Sequence, residues 1–342
     1  MSLTTISLET PYLIFFGDVR EHMNAKTGLG IAHWAPDRCA GQMKFPESPV
    51  DSGLPDLSVA DALDAGVKTV IIGVAPTGGL LQSNWIPPLL EFARAGVDIA
   101  AGLHSKLAAV PELAQAARDG ESRLIDVRVP PPDIPCATGR RRSGKRVLAV
   151  GTDCAVGKKY SALALHRELK QRDVKTTFRA TGQTGIMIAG EGIPVDAVVA
   201  DFIAGAAETL SPDNEGDHWD IIEGQGSLLH PSYAGVTLGL IHGSQPDALL
   251  LCHDASRVKI ADIAAEFSIP PLADYLAQVL AAARTTNRDC ICVGICVNTS
   301  SMTDEDRIAY LSNLARQFNL PVVDPVATGV GPVADFLLRH VA

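Results

Sequence analysis

Residues Arg146 to Lys159 read RVLAVGTDCAVGKK, and this stretch decides the fold. Arg146 to Val150 is a short apolar run of strand type. Gly151-Thr152-Asp153-Cys154-Ala155-Val156-Gly157-Lys158-Lys159 then forms a glycine-rich turn. The periodicity of Tyr160 to Arg172 predicts a helix. Strand, glycine turn and helix N-terminus together make an anion site. Backbone N–H groups and the helix dipole face the anion, and Lys158 adds a point charge, expected to be partly exposed. Two features depart from the usual nucleotide loop. Gly151 lies six residues before Gly157 instead of five, and Lys159 occupies the position where a hydrolase carries the Ser or Thr that holds Mg²⁺. Ser161 is two positions later, about 200° round the helix, and is poorly placed to substitute. The loop therefore suits a phosphate that is bound and not transferred, and no metal is expected.

Working outward, strands and helices alternate on both sides. Val174 to Arg179, Trp219 to Glu223, Ala248 to Cys252 and Ile291 to Val297 read as further strands. Ala197 to Leu210, about Ile260 to Ala265, and Tyr275 to Ala283 read as helices. Before the loop, Lys68 to Val74, Val97 to Ala101 and Leu124 to Val129 read as strands. They alternate with helices Leu57 to Ala65, Trp85 to Ala95 and Lys106 to Arg118. Such alternation gives βαβ units and parallel sheets. Val129 to Lys145 carries four prolines and the basic run Arg140-Arg141-Arg142, which reads as an extended, solvated linker. The fold class is α/β. An N-terminal Rossmann-like domain over 1–138 precedes a P-loop NTPase-like three-layer α/β/α domain over 139–342. Gly73 to Gly79 is a strand followed by a glycine loop without G-x-G-x-x-G, weak support for a dinucleotide site.

Composition narrows the function classes. The 342 residues carry a net charge of −10, which disfavours a nucleic-acid binder. Apolar residues make up 46% and charged residues 20%, enough apolar content for a sizeable core. The uncharged run Thr69 to Leu90 is broken by Pro76, Pro87 and Pro88, so no membrane span is expected. The seven cysteines form no C-x-x-C pair, and Cys290 and Cys292 read as core residues of one strand face. A cytoplasmic location and a homo-oligomer are expected.

Several polar groups cluster in sequence near strand ends. Glu223 at the tip of WDII is a candidate metal ligand or base, or a carboxylate capping the glycine turn. Gln225 and Ser227 follow it between glycines and are candidate ligand contacts. His230 is a second candidate base, since imidazole exchanges protons near neutrality. Gln183, in Thr181-Gly182-Gln183-Thr184-Gly185, reads as part of a close-contact loop. Asp201 is a third catalytic candidate. Asn298, after CICVGICV, reads as a turn asparagine. His253 and Asp254 are adjacent on a strand and cannot face each other. Cys154 lies at a helix N-terminus, but no base is fixed beside it by sequence, which disfavours a covalent role. Lys26, Arg38, His104 and Lys106 are the first-domain cations that an acidic substrate would meet.

GTDCAVGK resembles the loop of dethiobiotin synthetase, and resemblance to P-loop relatives of that type implies for Asn298 an amide that pairs with an adenine edge. The wider set is similar to the two-domain D-glutamate N-acetyltransferase family: GTDCAVGKK, ATGQTGIMI (Ala180 to Ile188), VVADFIAGAAE (Val198 to Glu208), EGQGSLLHPSYAGVTLGLIHG (Glu223 to Gly243), LCHD (Leu251 to Asp254) and VNTS (Val297 to Ser300). In the first domain the likeness rests on GVAPTGG (Gly73 to Gly79) and AGLHSKL (Ala101 to Leu107). The resemblance implies transfer of the acetyl group of acetyl-CoA to the α-amine of D-glutamate, with the loop on the CoA phosphates. Two rivals stand beside it: an ATP/Mg²⁺-dependent ligase or kinase of the dethiobiotin synthetase type, against which Lys159 argues, and a non-catalytic nucleotide sensor.

Overall fold

In this computed structural model, residues 5–22, 24–74, 81–103, 105–261, 263 and 266–341 are described. The strands among these residues are β1 (Ile6–Ser7), β2 (Tyr12–Gly17), β3 (Cys39–Lys44), β4 (Thr69–Ile72), β5 (Asp98–Ala101), β6 (Leu124–Asp126), β7 (Lys145–Gly151), β8 (Thr176–Arg179), β9 (Glu191–Gly192), β10 (Trp219–Ile222), β11 (Ala248–Asp254), β12 (Ile291–Asn298) and β13 (Val322–Val323). The α-helices are α1 (Lys26–Trp34), α2 (Val59–Asp64), α3 (Ile86–Arg94), α4 (Pro111–Asp119), α5 (Lys158–Gln171), α6 (Gln183–Ala189), α7 (Ile203–Leu210), α8 (Ala234–Ser244), α9 (Leu272–Arg284), α10 (Asp304–Phe318) and α11 (Gly331–His340).

Both expected parallel sheets form. The first unit holds β3-β2-β4-β5-β6, with β2, β4 and β5 buried along their whole length. The second holds β13-β12-β11-β7-β10-β8, again all parallel. Near-continuous Val, Ile, Leu and Ala runs suit strands covered on both faces, which is why these segments read so plainly. β7 is central. The chain crosses from it through α5 to β8 on one side, and later from β10 through α8 to β11 on the other. The C-terminal end of β7 is therefore a switch point, where open α/β sheets hold ligands.

The two compact units do not divide at the expected 138/139. The first comprises 1–131 together with 182–197; the second comprises 132–181 and 198–342. The stretch after Thr181 leaves the second sheet, forms α6, and pairs β9 antiparallel with β1. Thr27 and Thr184 hydroxyls lie 3.4 Å apart where α1 and α6 meet.

The basic linker is a second correction. Arg142 is buried and donates to the carbonyls of Glu208, Gly243 and Ser244. Arg140 and Arg141 are exposed and pair with Asp213 and Asp247. Glu208 accepts from the backbone amides of Thr138 and Gly139. Proline-rich sequence thus gives an irregular strap tied to α7, not a free spacer.

Other boundaries move for identifiable reasons. Pro111 starts α4, leaving a short 3₁₀ turn at Leu107–Ala109 in place of one continuous helix. The expected helix over Ala197 to Leu210 reduces to two 3₁₀ turns and α7. Of the expected Ile260 to Ala265 helix, Ile260 and Ala261 are not helical, and Asp262, Ala264 and Ala265 fall outside the described residues. Most of the GVAPTGG loop and His104 fall outside them too. Cys290 and Cys292 are buried, as expected for core positions. No helix among the described residues is long and apolar enough to cross a membrane.

Candidate functional site

The loop leaves β7 at Gly151 and enters α5 at Lys158. Ala155 and Gly157 both have left-handed backbone, φ +55° and +100°, so neighbouring amides turn inward in the manner of an anion-binding nest. Only glycine adopts such a φ freely, which accounts for Gly157. The Tyr275 hydroxyl, from α9, donates to the Gly151 carbonyl at 2.6 Å and fixes the start of the loop.

Lys158 is buried, contrary to the expected partial exposure. Its Nζ donates to the Asp153 carbonyl at 2.7 Å. A Cβ on Gly151 would lie 3.1 Å from the Lys158 stem, and one on Gly224 would also lie 3.1 Å from it. The lysine therefore threads between two glycines. Burial pushes its pKa down, and the nearby Cys252, Cys154, Asp153 and Glu223 oppose that shift.

Asp153 is fully buried. Its Oδ1 accepts from the Cys154 amide at 2.7 Å; its Oδ2 accepts from Arg257 Nη1 at 2.7 Å and from the Ala261 amide at 2.8 Å. Thr152 is buried, with its hydroxyl 2.9 Å from His253 Nδ1. Asp254 points the other way, to Ser256 and Asn298, so His253 and Asp254 form no dyad. Ser161 donates to the Gly157 carbonyl at 3.0 Å and Lys159 lies over the Tyr160 ring, so neither side chain offers a metal ligand of the usual kind.

Glu223 comes to the loop from β10. Its Oε2 accepts from the Thr181 amide at 2.9 Å, and the Thr181 hydroxyl donates to its carbonyl at 2.8 Å. The carboxylate thus ties the end of β8 to the end of β10 beside Lys158. His230 is 1% exposed and stacks on Tyr233. Its Nδ1 accepts from the Ser232 amide at 3.1 Å, so the neutral ring carries its proton on Nε2. That Nε2 is buried without a hydrogen-bond partner. One ligand atom each of Asp153, Cys154 and His230 lie within 4.8 Å of one another, the one such group of His, Cys, Asp and Glu among the described residues. A ring nitrogen of His230 is therefore close to the loop, its Nε2 is a buried donor, and a neutral ring has no lone pair left on Nε2 to act as a base.

The remaining expected contacts divide. Gly151, Thr152, Asp153, Cys154, Ala155, Val156, Gly157, Lys158, Lys159 and Glu223 are brought together. Ser227 is fully buried and its hydroxyl accepts from the Leu229 amide, so it braces the turn. Gln225 is half-buried, and its carbonyl accepts from Thr237 at 2.8 Å. Gln183 begins α6 in the first unit, packed beside Gly102, and does not belong to the unit that carries the loop. Asn298, at the end of β12, donates to Asp254 at the end of β11 and accepts from the Ser300 amide, so both ends of its amide are engaged. Asp201 is exposed in the 3₁₀ turn before α7. Arg257 and Tyr275 touch the loop, and the sequence does not single them out. Neither lies in a glycine loop or at a strand tip, so no local pattern marks them.

A model of a domain of unknown function, a P-loop domain termed DUF1611_C, matches residues 135–334, and its Rossmann-like companion DUF1611_N matches 40–130. A D-glutamate N-acetyltransferase from Tritonibacter scottomollicae is 47% identical over 96% of this chain and 99% of its own. Another from a Pseudoalteromonas species is 42% identical over 96% and 98%. The crystal structure of a DUF1611 family protein from Anabaena variabilis is similar at TM-score 0.81 and 31% identity, covering 96% of this chain and 99% of that one.

Proposed function

Because the chain belongs to the DUF1611 family, in which a Rossmann-like domain precedes a P-loop domain, we propose that it is an N-acetyltransferase acting on the α-amino group of D-glutamate. Acetyl-CoA is the donor, and the loop Gly151 to Lys158 takes the CoA phosphates. Likeness to two D-glutamate N-acetyltransferases over nearly the whole length supports the acceptor and the transferred group.

The observation that carries the loop's part is the buried Lys158 folded onto the Asp153 carbonyl, with a ring nitrogen of His230 near Asp153 and Cys154 and its buried Nε2 lacking a partner. These are donors suited to an anion. Without the Ser or Thr that follows the lysine in nucleotide hydrolases, they suit a phosphate held as a handle. Binding energy from such a remote handle positions the thioester carbonyl against the amine. The α-ammonium must lose a proton before it attacks. Asp201, exposed ahead of α7, is the candidate acceptor, since the Glu223 carboxylate is tied to Thr181 and His230 presents a donor.

The test is to offer acetyl-CoA, or ATP with Mg²⁺, together with a panel of amino acids, and to follow free thiol and released phosphate. Thiol release that depends on D-glutamate, without phosphate release, is expected. Phosphate release coupled to ligation would favour the ATP-dependent rival instead.

A further inference from the structure

The loop lacks the usual means of holding a divalent cation, yet a bound phosphate needs its charge balanced. Lys159 replaces the hydroxyl residue, and Ser161 is spent on the Gly157 carbonyl. The three-residue group Asp153, Cys154 and His230 has metal-type side chains, but Asp153 is already neutralised. Arg257 Nη1 lies 2.7 Å from its Oδ2 and 3.4 Å from the Cys154 carbonyl. A dication on that carboxylate would meet a guanidinium already on it, with the Lys158 ammonium beside the same residue.

Arg257 itself is 24% exposed, while Asp153 is fully buried. Nη1 makes both of its hydrogen bonds, and no described residue accepts from Nε or Nη2. The planar fork is thus held at one corner and presents donors at the others. An independent observation points to a ligand at the same place. The buried Nε2 of His230 has no partner, and the His230 ring lies within 4.8 Å of the Asp153 carboxylate group.

We infer that Arg257 and His230 stand in for the metal: Arg257 supplies the fixed positive charge, and both donate hydrogen bonds to the phosphate or diphosphate on the loop. The inference rests on the loop's being the anion site proposed above, and it assigns two ligands beyond the loop itself.

Calorimetry tests it with two probes. CoA is titrated in EDTA and again in Mg²⁺; inorganic diphosphate, in EDTA only, reads the loop apart from any acetyl transfer. The wild-type chain should bind CoA equally in both buffers. Arg257→Gln should weaken both probes by roughly ten- to a hundredfold, the size of a charged hydrogen bond. His230→Phe, which keeps a ring against Tyr233 and removes the donor, should weaken them by about three- to tenfold. Arg257→Gln alone leaves Asp153 buried and unpaired, so the pair Asp153→Asn with Arg257→Gln is measured too. It restores a neutral contact but not the cation, and should stay weak. Wild-type affinity in that double variant would show that Arg257 merely secures Asp153, and would overturn the inference. So would loss of wild-type CoA binding in EDTA. Both results are read from binding alone, so they hold whether or not acetyl transfer is observed.

Discussion

The ammonium nitrogen of Lys158 lies 2.7 Å from the carbonyl oxygen of Asp153, five residues earlier in the same loop. The loop thereby closes on its own lysine. The stem passes Gly151 and Gly224, so two strand ends, β7 and β10, must be bare of side chains for the lysine to reach this place. Lys158 is thus both a packing element and a charge, and its two roles are separable by substitution.

Lys158→Met keeps most of the stem and removes the charge. CoA affinity should fall by about 1.5–3 kcal/mol while stability changes little. Lys158→Ala should lose the same affinity and also destabilise the fold, because the stem leaves a gap between the two glycines. Calorimetry and urea unfolding on both variants separate the effects. A stable Lys158→Met chain with unchanged CoA affinity would show that the loop does not bind the cofactor.

A Cβ added at Gly224 would collide with the Ala149 carbonyl oxygen. Ala149 is backbone of β7 and Gly224 lies just past the end of β10, which pairs with β7, so neither can yield cheaply. Gly224→Ala should cost on the order of 2 kcal/mol or more, seen as a lower urea midpoint. A midpoint unchanged from wild type would mean that β7 and β10 can separate at this point.

Glu223→Gln can keep one oxygen for the Thr181 amide and removes the charge beside Lys158. The geometry predicts that kcat falls less than tenfold, with the larger effect on stability or on the KM for acetyl-CoA. Steady-state kinetics with D-glutamate provide the check. A drop of about 10²–10⁴ in kcat with unchanged cofactor affinity would instead mark Glu223 as the general base. Asp201→Asn, run beside it, should show that larger drop.

His166, on α5, is half-buried near Phe178, and desolvation pushes its pKa down from 6.5 to about 4. Below pH 4 both states are protonated and the full penalty of charging a desolvated ring is present. As the pH rises from about 4 to 6.5 the unfolded chain binds more protons than the folded one, so stability climbs. Removing the group with His166→Gln should flatten that rise by on the order of 1–3 kcal/mol. Urea unfolding at pH 4.5, 5.5 and 7 measures it; an identical pH slope in the variant would contradict the assignment.

What is legible in the sequence follows from what is local. RVLAV with its glycine turn, and KTVIIGV, can be read because a strand buried on both faces is apolar throughout, and because a loop that folds around an anion needs glycine at set places. The departures are long-range. Nothing around Gln183 shows that the chain there leaves the second sheet for α1 and β1. Arg142 sits in a run that looks solvated, and is buried because three carbonyls more than 60 residues away converge on it. Asn298 looks available in sequence because its partner Asp254 is on another strand. His230 does lie near the loop, as its glycine-rich setting suggests, but its direction of proton donation depends on a contact with Ser232 that sequence does not fix.

Isotope-resolved product analysis reads acceptor chirality and metal dependence in one vessel. Equal amounts of D-glutamate and carbon-13-labelled L-glutamate are placed in one vessel with acetyl-CoA, without added metal and with EDTA, and the products are weighed by mass spectrometry. Unlabelled N-acetylglutamate should accumulate in step with free CoA thiol while the labelled acid stays unmodified. Acetylation of the L-enantiomer at a similar rate, or no acetylated product until Mg²⁺ and ATP are supplied, would contradict the proposed function.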